Sequence, residues 1–470
     1  MESEKKENIS APHVLVLPFP VQGHINPMLQ FAKRLASRGL SVTLGTTIFY
    51  SKNMRAQMTG GSVRLDTISD GYDEGGFLEA EDPKAYHHGL EEVGSRTLAE
   101  LIEKYKGSVS PFTCLVYDTS LHWALNVAKE LGLMGIAFYT QSCAAFAIYY
   151  HLSEGRLTVP SEEGGTLSLQ GLPPLAIVDL PSLVFEVGSY QPVLSLKIKQ
   201  FCNLDKADWV LFNTTEELEN EVVSFLKGLW PVKTIGPTLP FMYLDASPGE
   251  EDKDYGFNYY KPSSTKYVEW LDSKPVGSVA YVSFGSIAAM TEQQMEELAW
   301  GLSESHVYFL WVVRASEQQK LPKKFAENTK EKGLIVTWCN QLQVLAHAAL
   351  GCFVTHCGWN SVLEALSLGV PMVGIPQWTD QPTNAKYVED VWGVGVRARA
   401  DKKGIVGREE MKMCVTQVLE GMRGKEMQTN ACKWRDVIKG AAREGGSSVK
   451  NIEDFVEALM NYSIERKREH

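Results

Sequence analysis

The 470-residue sequence lacks an excess of positive charge. Its 46 Lys and Arg are outnumbered by 57 Asp and Glu, which gives a formal net charge of -11. Nucleic acids are bound mainly through Lys and Arg contacts to phosphates, and anionic membranes attract clusters of the same residues. We therefore expect no nucleic acid and no anionic membrane as a partner. Any anionic ligand has to bind despite repulsion by the net negative charge of the protein.

Paired cysteines and long apolar runs are also missing. None of the eight cysteines belongs to a C-x-x-C pair, which predicts buried free thiols in a reducing compartment. No segment approaches the roughly 18 apolar residues of a membrane-spanning helix, and the first residues lack the apolar core of a signal peptide. We expect a cytoplasmic monomer without a membrane anchor.

Several familiar ligand-binding and catalytic loops are absent. The sequence has no G-x-x-x-x-G-K-S/T loop, no G-x-S-x-G elbow and no His, Cys and carboxylate spacing typical of a metal site. Residues 393–398 fit a loose dinucleotide fingerprint, but they follow a helix and have the pattern of a strand. The fingerprint needs a strand before it and a helix after it. We expect neither a metal nor a cofactor.

What the sequence does contain is a regular alternation of strands and helices. Apolar, β-branched runs predict strands at 13–19, 41–47, 114–118, 134–140 and 209–213, and then at 278–284, 307–313, 334–338, 352–355 and 370–375. The first helix is predicted to begin with Asn26 as N-cap and Pro27 in the first position. Alternating strands and helices predict parallel, doubly wound α/β sheets.

A chain of this length is too long for one hydrophobic core. Between about 230 and 276 the periodicity fails and proline, glycine and acidic residues accumulate, which is typical of a linker. The predicted organisation is an N-terminal α/β domain at 1–240, a linker at 241–276 and a C-terminal α/β domain at 277–448. A last helix at 449–470 is expected to return to the first domain.

The densest candidate site runs from Trp338 to Gln381. Within it a buried strand leads through a short turn into a helix that begins beside His356, Asn360 and Ser361. The start of such a helix offers free backbone N–H groups and a positive dipole end, which together can bind a diphosphate. Asn and Ser are also ordinary helix caps, so the residues alone leave a structural role open.

This stretch resembles the signature box of the plant secondary-product glycosyltransferases, the family 1 UDP-sugar-dependent enzymes. Other segments similar to the family, in family order, are PFPVQGHINPMLQFAKRL, CLVYD, FYTQS, FNTTEELE, SFGS and DQPTNAKYVEDVWGVG. The resemblance implies the GT-B fold, in which two Rossmann-like α/β domains face each other across a cleft. Within the family the chain is most similar to the group acting on salicylate, thiohydroximate, steroid and triterpenoid acceptors.

The resemblance also implies a UDP-glucose site. Its residues would be Ser286, Trp338, Cys339, Gln341, His356, Trp359, Asn360, Ser361, Glu364, Asp380, Gln381 and Thr140. Trp338 would stack on the uracil and the Cys339 backbone would bind its edge, while Glu364 and Gln341 would hold the ribose. Ser286 and the residues at the start of the helix would bind the diphosphate. The remaining residues would contact the sugar, and a Gln at position 381 goes with UDP-glucose in the family.

His24 and Asp118 are the candidate catalytic pair. Each follows or ends a predicted strand, so both are expected at the carboxyl edge of the first sheet, where open α/β sheets bind ligands. Taken alone, such a His is more often structural, and such an Asp caps the next helix. The resemblance implies that His24 is the general base, oriented by Asp118, in an inverting transfer that gives a β-glucoside.

The acceptor pocket is expected on the N-terminal side of the cleft. Its predicted residues are Val21, Gln22, Gln141, Ser142, Phe146, Tyr149, Leu183, Phe185, Gln377 and Trp378. Their apolar and aromatic character suits a flat lipophilic acceptor, although most of them could equally be core residues. The resemblance favours a steroid or terpenoid, with flavonoids and phenols as alternatives.

Two other functions are compatible with the same fold. The first is a catalytically silent binding protein for a sugar nucleotide or a small molecule, which the presence of both His24 and Asp118 disfavours. The second is a glycosyltransferase for lipid or cell-wall precursors, which the expected lack of a membrane anchor disfavours.

Overall fold

The structure is a computed structural model. It describes residues 11–55, 61–157, 165–185, 191–244, 255, 257, 266–286 and 288–468. Its two largest sheets are parallel throughout and belong to successive halves of the chain. Among the described residues, no helix is both long enough and apolar enough to cross a membrane.

The N-terminal half is built on a seven-stranded sheet. The strands of this half are β1 (His13–Leu17), β2 (Ser41–Thr47), β3 (Arg64–Ile68), β4 (Phe112–Asp118), β5 (Met134–Tyr139), β6 (Thr166–Leu167), β7 (Leu175–Ala176), β8 (Trp209–Phe212) and β9 (Val232–Thr234). Strands β6 and β7 form a short hairpin that is separate from the seven-stranded sheet of this half. Its helices are α1 (Gln22–Ala36), α2 (Ile48–Met54), α3 (Pro83–Lys106), α4 (Trp123–Glu130), α5 (Cys143–Ser153), α6 (Ser182–Phe185), α7 (Gln191–Lys199) and α8 (Asn220–Lys227). The sheet order is β3-β2-β1-β4-β5-β8-β9.

The C-terminal half is built on a six-stranded sheet. Its strands are β10 (Val279–Ser283), β11 (Tyr308–Val312), β12 (Gly333–Val336), β13 (Leu350–Thr355), β14 (Met372–Gly374) and β15 (Gly395–Arg397). The helices from the interdomain segment onward are α9 (Lys266–Asp272), α10 (Glu292–Glu304), α11 (Phe325–Asn328), α12 (Gln341–Leu345), α13 (Trp359–Leu368), α14 (Gln381–Lys386), α15 (Arg408–Leu419), α16 (Gly421–Ala442) and α17 (Ser447–Arg468). A π-helical turn, Tyr387–Val391, extends α14. The sheet order is β12-β11-β10-β13-β14-β15.

Strand β1 shows why continuous apolar runs form the centre of each sheet. All five of its residues are buried. Val14 and Val16 pack on one face, whereas Leu15 and Leu17 pack on the other. Successive side chains of a strand point to opposite faces, so a strand covered by helices on both sides needs apolar residues at every position.

The direction of strand addition reverses once in each sheet. In the first sheet the reversal lies between β1 and β4, and in the second it lies between β10 and β13. Loops that leave these neighbouring strands diverge to opposite faces and open a crevice at the carboxyl edge, where α/β proteins bind ligands. His24 and Asp118 follow or end β1 and β4, and Ser286 and His356 follow β10 and β13.

The last helix, α17, packs against the N-terminal half. Ile452, Phe455 and Leu459 belong to the apolar cluster that also contains the β1 valines. Lys233 pairs with Asp454 at 2.7 Å. The predicted linker is not wholly irregular, because α9 lies within it and places Tyr267 in the core of the C-terminal half. The predicted domain boundaries remain predictions.

The predicted start of α1 is wrong. The helix begins at Gln22, so Asn26 is not its N-cap and Pro27 lies in its second turn. Proline has no backbone N–H, so it cannot donate the helical hydrogen bond to the carbonyl of Gly23. That carbonyl instead accepts a hydrogen bond from the Asn360 side chain at 2.6 Å. His24 therefore lies in the first turn of a helix rather than in a loop.

The prediction for the thiols is only partly correct. All eight cysteines are free and six are buried, but Cys202 is exposed and Cys432 is half-buried. Cys202 follows the end of α7, whereas Cys432 lies in the middle of α16, where Gln428 Nε2 donates to its Sγ at 3.4 Å.

Candidate active site

His24 and Asp118 meet at the carboxyl edge of the first sheet. His24 Nδ1 lies 2.5 Å from Asp118 Oδ2 although 94 positions separate the two residues. The His24 side chain is about one-quarter exposed and that of Asp118 is buried. A proton on Nδ1 that is donated to the carboxylate leaves Nε2 unprotonated and able to accept a proton from a ligand in the cleft.

Asp118 is held by a second donor. Its Oδ1 accepts the backbone N–H of Ser120 at 2.9 Å, so the carboxylate also caps the 3₁₀ turn that follows β4. Burial would raise the pKa of Asp118, but the interactions with His24 and the Ser120 N–H lower it below the usual value. The carboxylate is therefore ionised at neutral pH and fixes the ring of His24.

Thr140 also lies at this pair. Its hydroxyl is 3.1 Å from His24 Nδ1, at the end of β5. The predicted role of Thr140 on the far side of the sugar remains a prediction, and the structure adds a direct contact with the histidine.

The second half contributes the start of α13. Strand β13 leads into it through Cys357, whose φ of 61° lies in the left-handed region, and Gly358 forms an N-cap without a side chain. The first N–H groups of the helix therefore have no capping side chain at Gly358. The helix ends at Gly369, which adopts the left-handed conformation typical of a C-cap.

His356 lies between two glycines at this turn. A Cβ at Gly285 would come 3.0 Å from the imidazole, and a Cβ at Gly358 would come 2.5 Å from Nε2. Glycine is therefore needed on both sides of the ring. Burial lowers the pKa of His356 to about 4, so the ring is neutral and offers one N–H. Ser286 follows β10 next to Gly285, and its role in the diphosphate site remains a prediction.

One hydrogen bond joins the two candidate sites directly. Asn360, in the first turn of α13, donates to the carbonyl of Gly23, the residue before His24. The start of the helix expected to hold the diphosphate is thereby held beside the residue expected to deprotonate the acceptor. One N–H of the Asn360 amide is used in this bond, and the other remains for a ligand.

Gln341, Ser361 and Glu364 form one hydrogen-bonded network. Gln341 Nε2 donates to Ser361 Oγ at 3.0 Å and to Glu364 Oε2 at 2.8 Å. The other oxygen of Glu364 accepts from Tyr255 Oη at 2.8 Å. Burial raises the pKa of Glu364 to about 7, although both donors counteract this effect. The predicted ribose residues are thus assembled in one place.

The remaining predicted nucleotide-sugar residues lie in the segments that follow β12 and β14. Trp338 follows the end of β12 and is only half-buried, unlike a core tryptophan, while Cys339 is buried with Sγ 3.5 Å from Tyr281 Oη. Asp380 accepts from Asn384 Nδ2 at 2.8 Å. Gln381 Oε1 accepts the backbone N–H of Gln377 at 2.8 Å, which directs its carbonyl into the loop.

The side chain of Trp359 lies in the core, and the predicted contact of this residue with the sugar remains a prediction. Its ring is 3% exposed and packs in the main core of the C-terminal half. Its one N–H donates to the carbonyl of Asn213 at 2.8 Å, across the domain contact. No donor of the ring is left for a sugar hydroxyl.

Two predicted acceptor residues serve packing or capping instead. Phe146 is fully buried among Tyr139, Phe212 and other core aromatics. Tyr149 is fully buried as well, but its hydroxyl has no partner among the described residues, so its role in acceptor binding stays a prediction. Ser142 caps α5 and donates to Asn384 Oδ1 at 2.9 Å, so it joins the two halves. Apolar or capping residues on an amphipathic helix look alike in sequence whether they line a pocket or fill a core.

The other predicted acceptor residues lie closer to the cleft. Half-buried positions are occupied by Val21, Gln22, Phe185, Gln377 and Trp378, whereas Gln141 and Leu183 are buried. Gln22 Oε1 and Gln141 Nε2 are buried polar atoms without a hydrogen-bond partner in the described parts of the chain. Their role in acceptor binding remains a prediction.

Three residues around the His24–Asp118 pair, namely Phe19, His87 and Lys197, carry no signal in the sequence. The Phe19 ring is 5.6 Å from the His24 ring and 5.7 Å from that of His87, on α3. Burial lowers the pKa of His87 to about 4, assisted by the charge of Lys197 on α7. Burial also lowers the pKa of Lys197, while Asp118 and Asp380 counteract it. The three residues come from distant segments, and no local motif connects them.

No group of three or more His, Cys, Asp or Glu within the described ranges is arranged to hold a metal ion. The polar groups around α13 are instead backbone N–H groups, amides, hydroxyls and a neutral imidazole, which suit phosphate and sugar oxygens.

Comparisons with known proteins agree with this geometry. Residues 213–431 match the family described as UDP-glucoronosyl and UDP-glucosyl transferase, and residues 11–69 match the family described as Glycosyltransferase, N-terminal domain. The chain is 45% identical to Mogroside I-E synthase of Siraitia grosvenorii over 95% of this chain and 98% of that protein. It is 46% identical to Indole-3-acetate beta-glucosyltransferase of Zea mays over 97% of this chain and 100% of that protein.

The chain belongs to the plant family 1 UDP-glycosyltransferases. A solved structure of Os79 from O. sativa in complex with UDP matches this glycosyltransferase with a TM-score of 0.90 and 41% identity, over 95% of this chain and 100% of that one. Os79 was also solved with U2F and a trichothecene. The predicted family, GT-B fold and enzyme class are confirmed. The glycosyltransferase takes a UDP-sugar donor and a small-molecule acceptor.

Proposed function

We propose that the protein is an inverting glucosyltransferase that moves glucose from UDP-glucose to a hydroxyl of a lipophilic small molecule. The observation that carries this proposal is the His24–Asp118 pair, held beside the start of α13 by the bond between Asn360 and Gly23. A base and an anion-binding helix terminus on opposite sides of one cleft suit a transfer between an alcohol and a diphosphate ester. The N-terminal half would bind the acceptor and the C-terminal half the UDP-sugar.

His24 would act as the general base. The acceptor hydroxyl gives its proton to Nε2 while its oxygen attacks the anomeric carbon, and the bond from that carbon to the diphosphate oxygen breaks. Asp118 keeps the proton on Nδ1 and stabilises the imidazolium that forms. Because the attack comes from the side opposite to UDP, the α-linked donor gives a β-glucoside.

The C-terminal half would stabilise the leaving UDP. As the bond to the sugar breaks, negative charge grows on the diphosphate, which the free N–H groups at the start of α13 and its dipole attract. The neutral imidazole of His356 and the side chains of Asn360, Ser361 and Ser286 add donors. Donors fixed before the reaction need no reorganisation during it.

Gln381 supports UDP-glucose as the donor. Its carbonyl oxygen is occupied by backbone N–H groups, so the amide N–H₂ is the part that can donate to a sugar hydroxyl. In competition assays with UDP-glucose, UDP-galactose and UDP-glucuronate, we expect UDP-glucose to have the highest kcat/KM. A clear preference for another sugar would overturn this choice.

The acceptor remains a prediction, with a steroid or terpenoid favoured and a flavonoid or phenol as the alternative. The unpartnered buried amides of Gln22 and Gln141 would pair with the few polar groups of an otherwise apolar molecule. The relatives are named for chemically different acceptors, so family membership does not decide this choice.

Lys197 favours a carboxylate as a second acceptor class. It lies on α7 of the N-terminal half, and the charges of Asp118 and Asp380 act on it. A carboxylate oxygen is already ionised at neutral pH, so it could attack the anomeric carbon and give a glucose ester without a base. A library test should therefore include carboxylic acids, and Lys197→Met should lower transfer to these acids more than transfer to alcohols.

The direct test is incubation with UDP-glucose and a mixed library of steroids, terpenoids, phenolics and carboxylic acids. We expect at least one acceptor to gain the mass of one hexose with release of one UDP. If the protein binds UDP but transfers glucose to no acceptor, the catalytically silent binding protein is favoured instead.

A further inference from the structure

Tyr255 and Phe257 lie between the two halves and are anchored on the first. Phe257 is fully buried in the cluster that contains Ile25 of α1 and Phe455 of α17. Gln30 of α1 donates from Nε2 to the backbone carbonyl of Tyr255 at 3.0 Å. The backbone of Tyr255 therefore follows the position of the N-terminal half.

The side chain of Tyr255 reaches the other half. Tyr255 packs against the apolar cluster that contains Leu342, and its hydroxyl donates to Glu364 Oε1 at 2.8 Å. Glu364 is 5% exposed, and its Oε2 accepts from Gln341 Nε2 at 2.8 Å. Among the described residues, each oxygen of the buried carboxylate thus has one hydrogen-bond donor. A carboxylate oxygen has two acceptor sites, so each one keeps a free site for a ligand hydroxyl.

We propose that Tyr255 is a positioning residue of the nucleotide site, supplied from outside the signature box. It holds the Glu364 carboxylate so that the two free acceptor sites face the 2′ and 3′ hydroxyls of the ribose. This inference rests on the proposed role of Glu364 in ribose binding. Because Tyr255 is tied to α1, the ribose site is complete only when the N-terminal half is in place against it.

The test compares Tyr255→Phe with the wild-type enzyme for two ligands, UDP and 2′,3′-dideoxy-UDP, by titration calorimetry. Losing a donor to a buried carboxylate should weaken UDP binding about fivefold to tenfold. The dideoxy ligand has no ribose hydroxyl for Glu364, so its Kd should change by no more than about twofold. The comparison is a double-mutant cycle, in which removal of the ribose hydroxyls should abolish the effect of removing the Tyr255 hydroxyl.

Tyr105→Phe is a matched control. Tyr105 also donates its hydroxyl to a carboxylate, Asp66 Oδ2, at 3.1 Å, but at the end of α3 and outside the nucleotide site. This variant should bind both ligands like the wild type. Thermal unfolding of both variants checks that a change in Kd does not come from loss of the folded state.

The outcomes separate this inference from the proposed function. If Tyr255→Phe weakens UDP and dideoxy-UDP equally, or weakens neither, Tyr255 does not act through the ribose contact and the inference is overturned while the nucleotide site stands. If the wild-type enzyme itself binds both ligands equally, the ribose role of Glu364 fails, and the inference fails with it.

Discussion

The two sides of the cleft differ in how their polar groups are satisfied. On the C-terminal side, Gln341, Ser361 and Glu364 are joined in one network of short hydrogen bonds. On the N-terminal side, Gln22 Oε1 and Gln141 Nε2 are buried without a partner in the described part of the chain. Buried polar groups normally have partners, because an unpaired one costs about 1–3 kcal/mol. The C-terminal side is therefore prearranged by the protein, whereas the N-terminal side is expected to be completed by its acceptor.

His24→Ala should have the largest effect of the variants, and this effect should be confined to the N-terminal side of the cleft. Removal of the base should lower kcat/KM for transfer to an alcohol about 100-fold to 10,000-fold. The Kd for UDP should remain that of the wild type, because the residues proposed to bind UDP lie in the other half. Calorimetry with UDP and a turnover assay measure the two effects. Near-wild-type turnover would refute the assignment of the base.

Gly358→Ala should have a smaller effect, confined to the nucleotide side. The new Cβ would come 2.5 Å from His356 Nε2, and relief of that overlap moves the imidazole at a cost of about 1–3 kcal/mol. We expect UDP to bind roughly tenfold more weakly. In Gly440→Ala the new Cβ meets no atom within 4 Å, so this control should bind UDP normally. If the wild type and both variants bind UDP with equal affinity, the imidazole of His356 does not need the space beside Gly358.

Binding of uridine should depend on pH through Glu364. The pKa of this carboxyl is raised to about 7, so it is mostly ionised at pH 8 and mostly protonated at pH 6. Only the ionised form accepts hydrogen bonds with both oxygens, so uridine should bind about threefold to tenfold more weakly at pH 6. Uridine carries no phosphate that would titrate in this range. Glu364→Gln should bind weakly at both values, and an unchanged pH dependence in this variant would contradict the assignment.

Trp359→Phe should have the smallest effect on activity. It removes the hydrogen bond to the Asn213 carbonyl, so the free energy of unfolding should fall by about 1–2 kcal/mol. The KM for UDP-glucose should stay unchanged, because the ring does not reach the sugar. A raised KM with unaltered thermal stability would restore the sugar contact implied by the family resemblance.

The C-terminal side could be predicted from the sequence because it is contiguous. Strand β13, the turn at Gly358 and helix α13 follow one another, so the positions of His356 and Ser361 were fixed by local structure. The start of α1 was mispredicted because Pro27 is typical of a first helical position. The structure places it in the second turn, where a contact from the other half compensates for the missing N–H.

The N-terminal side was harder to predict because it is assembled from distant segments. His24 and Asp118 were predicted to meet only because both follow central strands of a parallel sheet. Phe146 has the same character in a pocket as in a core, and only the packing shows that it belongs to the core. Tyr255 lies in a segment without periodicity and 109 positions before Glu364, so no pattern along the chain could connect the two.

The most direct test of the central claim compares two acceptors in the His24→Ala variant. An aliphatic alcohol must lose its proton during the attack, whereas 4-nitrophenol at pH 9 is already ionised and needs no base. A general base at His24 predicts that kcat/KM falls at least about 100-fold for the alcohol but less than about tenfold for the nitrophenolate. A loss by the same factor for both acceptors would contradict the account, because His24 would then contribute by something other than proton removal.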